Sequence, residues 1–146
     1  MNEFHIAKAG EQALLIETAT LAAAMSLYNS IERVRRRGEG VFEAVRQVVP
    51  AARTVLVEYQ PLLATAAALS KAIRSLPVSS SHHQESGIVT VPVVYDGDDL
   101  EYVARRFGMS VPALIDWHTN EPWHAAFAGF APGFVYLTGG QRTIDV

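Results

Sequence analysis

A segment near the end of the chain, residues 129–137 with the sequence GFAPGFVYL, contains two glycines, one proline and three aromatic residues in nine positions, a composition that ordinary strands and helices avoid. Glycine permits positive φ or the close approach of another group, while Pro132 fixes its own φ and pushes Ala131 towards extended geometry. In an extended chain, Phe134 and Tyr136 share one side. The segment therefore predicts a shaped loop or kinked strand with an aromatic wall beside unscreened amides, suited to a carboxylate, amide or phosphate. The alternative is a turn that lets aromatic side chains reach a core.

His118 is the second candidate for chemistry. It follows Leu114 and Ile115 by four and three residues on a predicted helix, so it leans towards the same face. A histidine there is either a hydrogen-bonded core residue or an acid-base group. The adjacent His82 and His83 lie in a serine-rich segment without further ligands at fixed spacing, so the sequence does not favour a metal site.

Familiar catalytic motifs are missing from the sequence. It has no GxxxxGK[ST] segment, so ATP would not be held by a P-loop in this chain. It also has no GxSxG elbow, no cysteine nucleophile and no lysine-serine spacing of the amidase signature enzymes. Any chemistry must therefore come from the positioning and polarisation of a carboxyl-like or amide substrate.

Size and charge limit the classes of function. The 146 residues suffice for one ordinary domain or two small ones, and an apolar fraction of 49% provides a real core. A net charge of −3 and a pI of about 5.9 give no electrostatic case for nucleic acid or an anionic membrane as partner. The basic cluster at residues 33–37 falls in the last turn of a predicted helix, where it complements the helix dipole. An anion-binding patch is the alternative for this cluster.

Cysteine content and hydropathy bear on location. The sequence has 0 cysteines, which excludes disulfides and cysteine-ligated zinc. The N-terminal residues lack an apolar signal region, and no stretch approaches the roughly 20 apolar residues of a membrane span. We therefore expect a cytoplasmic protein.

The elements that would position these residues begin with a predicted ββαββα module over residues 1–76. The alternating residues 4–9 and 13–17 predict a hairpin, and Thr20 and Gly38 are typical of the two ends of a helix. Both helices are expected on one face of an antiparallel sheet. The remaining predicted elements are strands at 41–49 and 54–59 and a helix beginning at Pro61, with an apolar stripe of Leu62, Ala66, Leu69 and Ile73.

The second half begins after a polar linker at residues 77–87. Residues 88–95 are strongly β-prone, although Pro92 favours an edge strand or a bulge. Two short helices follow, the first capped by Asp98 or Asp99 and the second by Ser110, and a strand at 123–130 leads into the aromatic segment.

These features together resemble one known family. Four segments carry this resemblance, in the order GEQALLIE, PAARTVLVEYQP, VPVVYDGDDLEYVARRFGMSVPALIDWH and GFAPGFVYL. Together they are similar to the KipI family, also called allophanate hydrolase subunit 1 or the B-type subunit of 5-oxoprolinase (PxpB). The resemblance covers nearly the whole chain. It implies an α+β fold: a sandwich-like ββαββα domain at 1–76, then a cyclophilin-like β-barrel at 88–146 that is expected to be partial, because the family continues into further strands.

The resemblance also implies a function. Such a protein works with a C-type partner, similar to allophanate hydrolase subunit 2, in a hydrolase complex that uses ATP to open a carboxylate or amide substrate such as 5-oxoproline. On this basis we expect His118 and Tyr136 to be catalytic. The expected substrate-binding residues are Gly129, Phe130, Pro132, Gly133 and Phe134, with the glycines and adjacent amides as the cradle and the aromatic rings as walls.

Three alternatives remain at this point. Relatives of the family include a carboxyltransferase half-domain of urea carboxylase and an inhibitor that binds a sensor histidine kinase. The helix-glycine-helix pattern of residues 98–120 is also similar to LysM sugar-binding modules. No secretion signal precedes it, and the aromatic segment follows directly, so peptidoglycan binding is the less favoured prediction.

Overall fold

The computed structural model describes residues 4–78 and 87–139. The chain divides into two units, Met1–Glu85 and Ser86–Val146, each with its own antiparallel sheet. The predicted mixed α+β class is confirmed. His82, His83 and most of the predicted linker lie outside the described residues. None of the helices within the described residues has the length and apolar character needed to cross a bilayer.

The first unit is a four-stranded sheet covered by two helices. Its sheet order is β1-β2-β4-β3, with every neighbouring pair antiparallel. In chain order its elements are β1 (Phe4–Lys8), β2 (Ala13–Thr18), α1 (Leu21–Arg36), a 3-10 helix (Gly40–Ala44), β3 (Val45–Pro50), β4 (Thr54–Tyr59) and α2 (Ala66–Arg74).

The core of the first unit lies between the sheet and both helices. Alternate residues of β2 and β4 turn inward, so that Leu14 pairs with Val57 and Ile16 with Val55. Helix α1 begins where the sequence predicts a cap, since the Thr20 hydroxyl accepts the N–H of Ala23 at 3.2 Å. The helix side chains buried against this face are Ala24, Leu27, Ile31, Leu69 and Ile73.

Two predicted boundaries in this unit are wrong. Residues 41–44 are not a strand but belong to the 3-10 helix, because Gly40 has a positive φ of 56° and the turn buries Phe42 in the core. The second helix begins at Ala66 rather than Pro61, because the Thr65 hydroxyl caps it by accepting the N–H of Ala68 at 3.2 Å. Leu62 therefore lies in a turn and is 98% exposed instead of lining the apolar stripe.

The second unit has two short helices and a hairpin. Its elements are α3 (Leu100–Arg106), α4 (Val111–Asn120), β5 (His124–Ala128) and β6 (Val135–Thr138). Gly108, with φ 63°, follows α3, and the Ser110 hydroxyl caps α4 by accepting the N–H of Ala113 at 3.3 Å. Asp99 occupies the cap position of α3, but its side chain makes no capping hydrogen bond.

The strand predicted at residues 88–95 is not formed. No strand neighbours this segment within the described residues, Pro92 lacks an N–H, and Ile88 and Val94 are 98% and 81% exposed. High β-propensity alone does not make a strand, because the ladder of hydrogen bonds needs a partner. Residues 87–139 accordingly contain one two-stranded sheet and no closed barrel.

Candidate functional site

The β5–β6 hairpin sets the geometry of the candidate site. Phe127 pairs with Tyr136 and Ala128 with Val135, while a bulge between Ala125 and Phe127 shifts the register. Directly paired residues share a face of a sheet, so Phe127 and Tyr136 point to the same side. Their rings stack with centroids 4.7 Å apart and planes 22° apart.

The loop that closes the hairpin, residues 129–134, contains two successive tight turns. The Ala131 N–H donates to the Gly129 carbonyl at 2.9 Å around Phe130, whose φ is 70°, which is the geometry of a classical γ-turn. The Phe134 N–H then donates to the Ala131 carbonyl at 3.0 Å, with Pro132 second and Gly133 third at φ 79°. That is a type II turn, which requires positive φ at its third residue. The predicted shaped loop is confirmed.

These turns decide which amides can hold a ligand. The Gly129 N–H donates to the Phe134 carbonyl at 3.2 Å, so it does not contribute the free donor that we expected there. Within residues 87–139, the N–H groups of Phe130 and Gly133 make no hydrogen bond, and Pro132 has none to offer. The available donors of the loop are therefore one amide on each side of Pro132.

Aromatic rings line the loop in a continuous series. The Tyr136 ring lies 5.2 Å from that of Phe134, and the Phe134 ring lies 5.4 Å from that of Phe130, both edge to face. A Cβ on Gly129 would meet the Tyr136 ring at 3.4 Å, an ordinary van der Waals distance, so Gly129 lies directly against this ring. Phe130 is 89% exposed although its φ is strained. A strained, exposed aromatic residue favours binding over a core role.

His124 also lies on this aromatic face, and the sequence did not single it out. It pairs with Thr138, which is two residues from Tyr136 and shares its side. Strict alternation along β5 would put His124 and Phe127 on opposite faces, but the bulge at Ala126 brings them to the same one. No sequence pattern predicts this bulge, so only the observed strand register shows that His124 lies on the aromatic face.

His118 has a different environment, at the end of α4. The Tyr95 hydroxyl lies 2.5 Å from His118 Nδ1, and the Trp123 ring lies 5.1 Å from the imidazole. The Trp123 indole N–H donates to the His118 carbonyl at 2.8 Å. The neighbouring Trp117 indole N–H is buried without a partner among the described residues.

His118 and the loop lie at opposite ends of the hairpin. A Cβ on Gly139 would lie 3.2 Å from the Trp123 ring, so His118 and Trp123 belong to the open end. Gly139 lies four positions after Val135, which corresponds to roughly 13 Å along the strand. Within residues 87–139, no aromatic contact joins His118 to Phe130, Phe134 or Tyr136. A single ring-sized substrate is too short to touch both ends.

Comparison with known proteins identifies the family. The family described as "Carboxyltransferase domain, subdomain C and D" matches residues 4–146. The chain belongs to this carboxyltransferase-domain family. The resemblance to the family of KipI and the B-type 5-oxoprolinase proteins is thereby confirmed.

Individual relatives of this carboxyltransferase-domain chain are much longer. It is 36% identical over 74 residues to the 5-oxoprolinase B subunit of Bacillus subtilis (strain 168), covering 49% of this chain and 31% of the relative. It is 37% identical over 62 residues to the 5-oxoprolinase B subunit of Escherichia coli O157:H7, covering 40% of this chain and 28% of the relative. The crystal structure of TTHA0988 matches with a TM-score of 0.61 and 27% identity, over 94% of this chain and 26% of that one. The chain thus spans about a third or less of each.

Proposed function

We propose that this chain forms part of a subunit of an ATP-dependent amide or lactam hydrolase of the 5-oxoprolinase type, in which it binds the substrate rather than the nucleotide. The names of the relatives from Bacillus subtilis and Escherichia coli support this class of reaction. The proposal depends most on the loop 129–134, which offers two free amide donors beside exposed aromatic rings.

The loop suits the carboxylate of a small cyclic substrate. The Phe130 and Gly133 amides would donate to the carboxylate, because such donors in tight turns stabilise an anion. The rings of Phe134 and Tyr136, which are 44% and 43% exposed, would contact the apolar edge of the substrate ring. Pro132 fixes the turn.

We assign different tasks to the two predicted catalytic residues. Tyr136, beside the loop, can donate its hydroxyl proton to the same substrate. His118 contacts Trp123, which lies beside Gly139 at the open end of the hairpin, roughly 13 Å along the strand from the start of β6. We therefore propose that His118 donates to a carbonyl or phosphoryl oxygen of a second reacting group. An ATP-derived phosphate would be such a group, with the nucleotide held elsewhere in the assembled complex.

A C-type partner, similar to allophanate hydrolase subunit 2, completes the proposal. The apolar residues of 88–95 and of β6 are exposed, and large exposed apolar surface is typical of protein interfaces. We propose that strands supplied from outside residues 87–139 complete a cyclophilin-like barrel around this hairpin.

The test is turnover by the reconstituted complex. The full chain is combined with the C-type partner and the third protein of the complex, and ATP-dependent conversion of 5-oxoproline to glutamate is measured. Gly133→Ala should mainly raise KM, whereas His118→Ala and Tyr136→Phe should lower kcat by about 10-fold or more. Lys71→Ala, on α2 of the first unit, is the matched control and should leave both constants unchanged. A reconstituted complex with no turnover, or one indifferent to Gly133→Ala, contradicts the proposal.

A second candidate follows from the family description, which names a carboxyltransferase domain. The same loop could receive the carboxyl group that passes between biotin and an amide acceptor such as urea. Carboxylation of urea by the complex in the presence of carboxylated biotin would support this candidate, and absence of transfer would favour lactam hydrolysis.

A further inference from the structure

Tyr95 is the one anchored residue of an otherwise exposed segment. Within residues 87–99 it alone is half-buried, while the isoleucine and four valines before it are exposed. Its ring lies edge-on to the His118 imidazole, with centroids 5.8 Å apart. Its hydroxyl reaches Nδ1 of that ring at 2.5 Å. A short contact of this kind between two half-buried side chains is a directed hydrogen bond and not incidental packing.

The chemistry of the two groups decides where the proton lies. A phenol hydroxyl is the stronger donor, and a neutral imidazole nitrogen is the stronger acceptor. Within the described residues the Tyr95 hydroxyl has no other partner, so donation to Nδ1 satisfies both groups. With Nδ1 acting as the acceptor, a neutral His118 must carry its proton on Nε2.

The ring is also held from another side. Trp123 lies against the imidazole at 5.1 Å, and its indole N–H binds the His118 carbonyl at 2.8 Å. The Trp117 ring lies edge-on to Trp123 at 5.8 Å and keeps it in place. Tyr95 and Trp123 together leave the imidazole few orientations, and Nε2 has no hydrogen-bond partner within residues 87–139.

We infer that Tyr95 is a positioning residue that holds His118 in the Nε2–H tautomer and aims this N–H as a hydrogen-bond donor at an oxygen of a bound carbonyl or phosphoryl group. His118 is then a polarising donor and not a general base. The effect on turnover rests on the proposed hydrolase function, whereas the tautomer is a property of the chain itself.

The first test is nitrogen NMR of the full chain with 15N-labelled histidine. The His118 signals are assigned by their loss in His118→Gln. In the wild-type protein near neutral pH, Nε2 should show the shift of a protonated nitrogen and Nδ1 that of a hydrogen-bonded acceptor. A protonated Nδ1 with a bare Nε2 overturns the inference, whatever the variants do.

The second test compares Tyr95→Phe with a matched control. Removing the hydroxyl should move the Nδ1 signal towards that of an unbonded nitrogen and partly populate the other tautomer. Tyr102→Phe removes the hydroxyl of a tyrosine on α3 that is 62% exposed, and should leave the His118 signals in place. Unmoved His118 signals in Tyr95→Phe contradict the inference.

The third test uses the reconstituted complex. Tyr95→Phe should lower kcat by about 10-fold with little change in KM, as expected when a supporting hydrogen bond is lost. Unchanged kcat in an active complex would show that the tautomer does not matter for the reaction. A complex without turnover would count against the hydrolase function, and the NMR outcome would still decide the tautomer.

Discussion

At the scale of single residues, the two turns of the loop 129–134 each depend on one residue with a positive φ. Phe130 accepts a φ of 70° at some cost in strain, and Gly133 takes 79° without one. The strained backbone at Phe130 accompanies two amide N–H groups without hydrogen-bond partners and an exposed aromatic ring. Backbone strain of this kind is enriched at active sites and ligand-binding loops, which is consistent with the proposed binding role of this loop.

Gly133→Ala tests this geometry directly. A Cβ there meets no atom within 4 Å, so the penalty comes from the positive φ alone. We expect a loss of about 1 kcal/mol in the free energy of unfolding of the second unit. Urea denaturation followed by hydrogen exchange of β5 and β6 measures it. Gly87→Ala, at a glycine with no positive φ and open space around it, is the control and should cost little.

Gly139→Ala tests the contact between the hairpin and the surroundings of His118. A Cβ there would lie 2.8 Å from the Pro122 carbonyl, a backbone atom that cannot simply rotate away. Trp123 should shift, and with it the support of the His118 ring. We expect a red shift in tryptophan fluorescence and a changed His118 NMR signal. Thr138→Ser, one residue earlier, should change neither.

At the scale of elements, α1 carries the one strongly paired acidic group among the described residues. Both carboxylate oxygens of Glu32 accept from Arg35, at 2.7 and 3.0 Å, and one also accepts from Arg36 at 3.2 Å. The Arg35 hydrogen bond lowers the pKa of Glu32, and burial opposes this in part. Two arginines of the basic cluster, Arg35 and Arg36, thus lie in the last turn of α1 and pair with a carboxylate of the same helix.

Glu32→Gln is expected to destabilise the first unit by about 1–2 kcal/mol near neutral pH. Since the folded pKa of Glu32 is lowered, the ionised pair stabilises the fold above the ordinary glutamate range. This contribution disappears as the pH falls through that range towards the folded pKa. Urea denaturation should show that the difference in free energy of unfolding between wild type and variant is smaller at about pH 3 than at about pH 7. The control is Glu43→Gln, at an exposed residue of the 3-10 helix, which should match the wild type in free energy of unfolding at both pH values.

At the scale of the whole molecule, the two units differ in how much apolar surface they bury. In the first unit the described core includes eight fully buried large side chains: Leu14, Ile16, Leu27, Ile31, Leu69, Ile73, Val55 and Val57. In the second unit the buried hydrophobic residues among those described are Ala104 and Leu114. A two-stranded hairpin with so little core is marginally stable by itself.

Hydrogen exchange should therefore show that the two units differ in local stability. Amides of β4 are expected to exchange slowly and those of β6 quickly in the chain alone, because local stability follows buried apolar contact. Addition of the proposed C-type partner should slow exchange in β6 and residues 88–95, and leave β4 unchanged. Equal protection of β4 and β6 in the chain alone would contradict this.

The sequence by itself determined the features that depend on local chemistry. Hydroxyl caps at Thr20 and Ser110, the glycine after α1 (Gly38) and the shaped loop within residues 129–137 all depend on neighbouring backbone groups, so the residue types predict them. Alternation and helical spacing likewise predicted most strands and helices of the first unit. The strand predicted at residues 88–95 was wrong because strand propensity does not show whether a neighbouring strand is present to pair with it.

Only the tertiary structure decided how the candidate residues are grouped. The bulge at Ala126 puts His124 on the same face as Tyr136. The contacts of Trp123 with Gly139 and the imidazole put His118 at the far end of the hairpin from the loop. Likewise, the Tyr95–His118 contact joins residues 23 positions apart. Register and long-range contact arise from many weak interactions at once, and no single stretch of sequence encodes them.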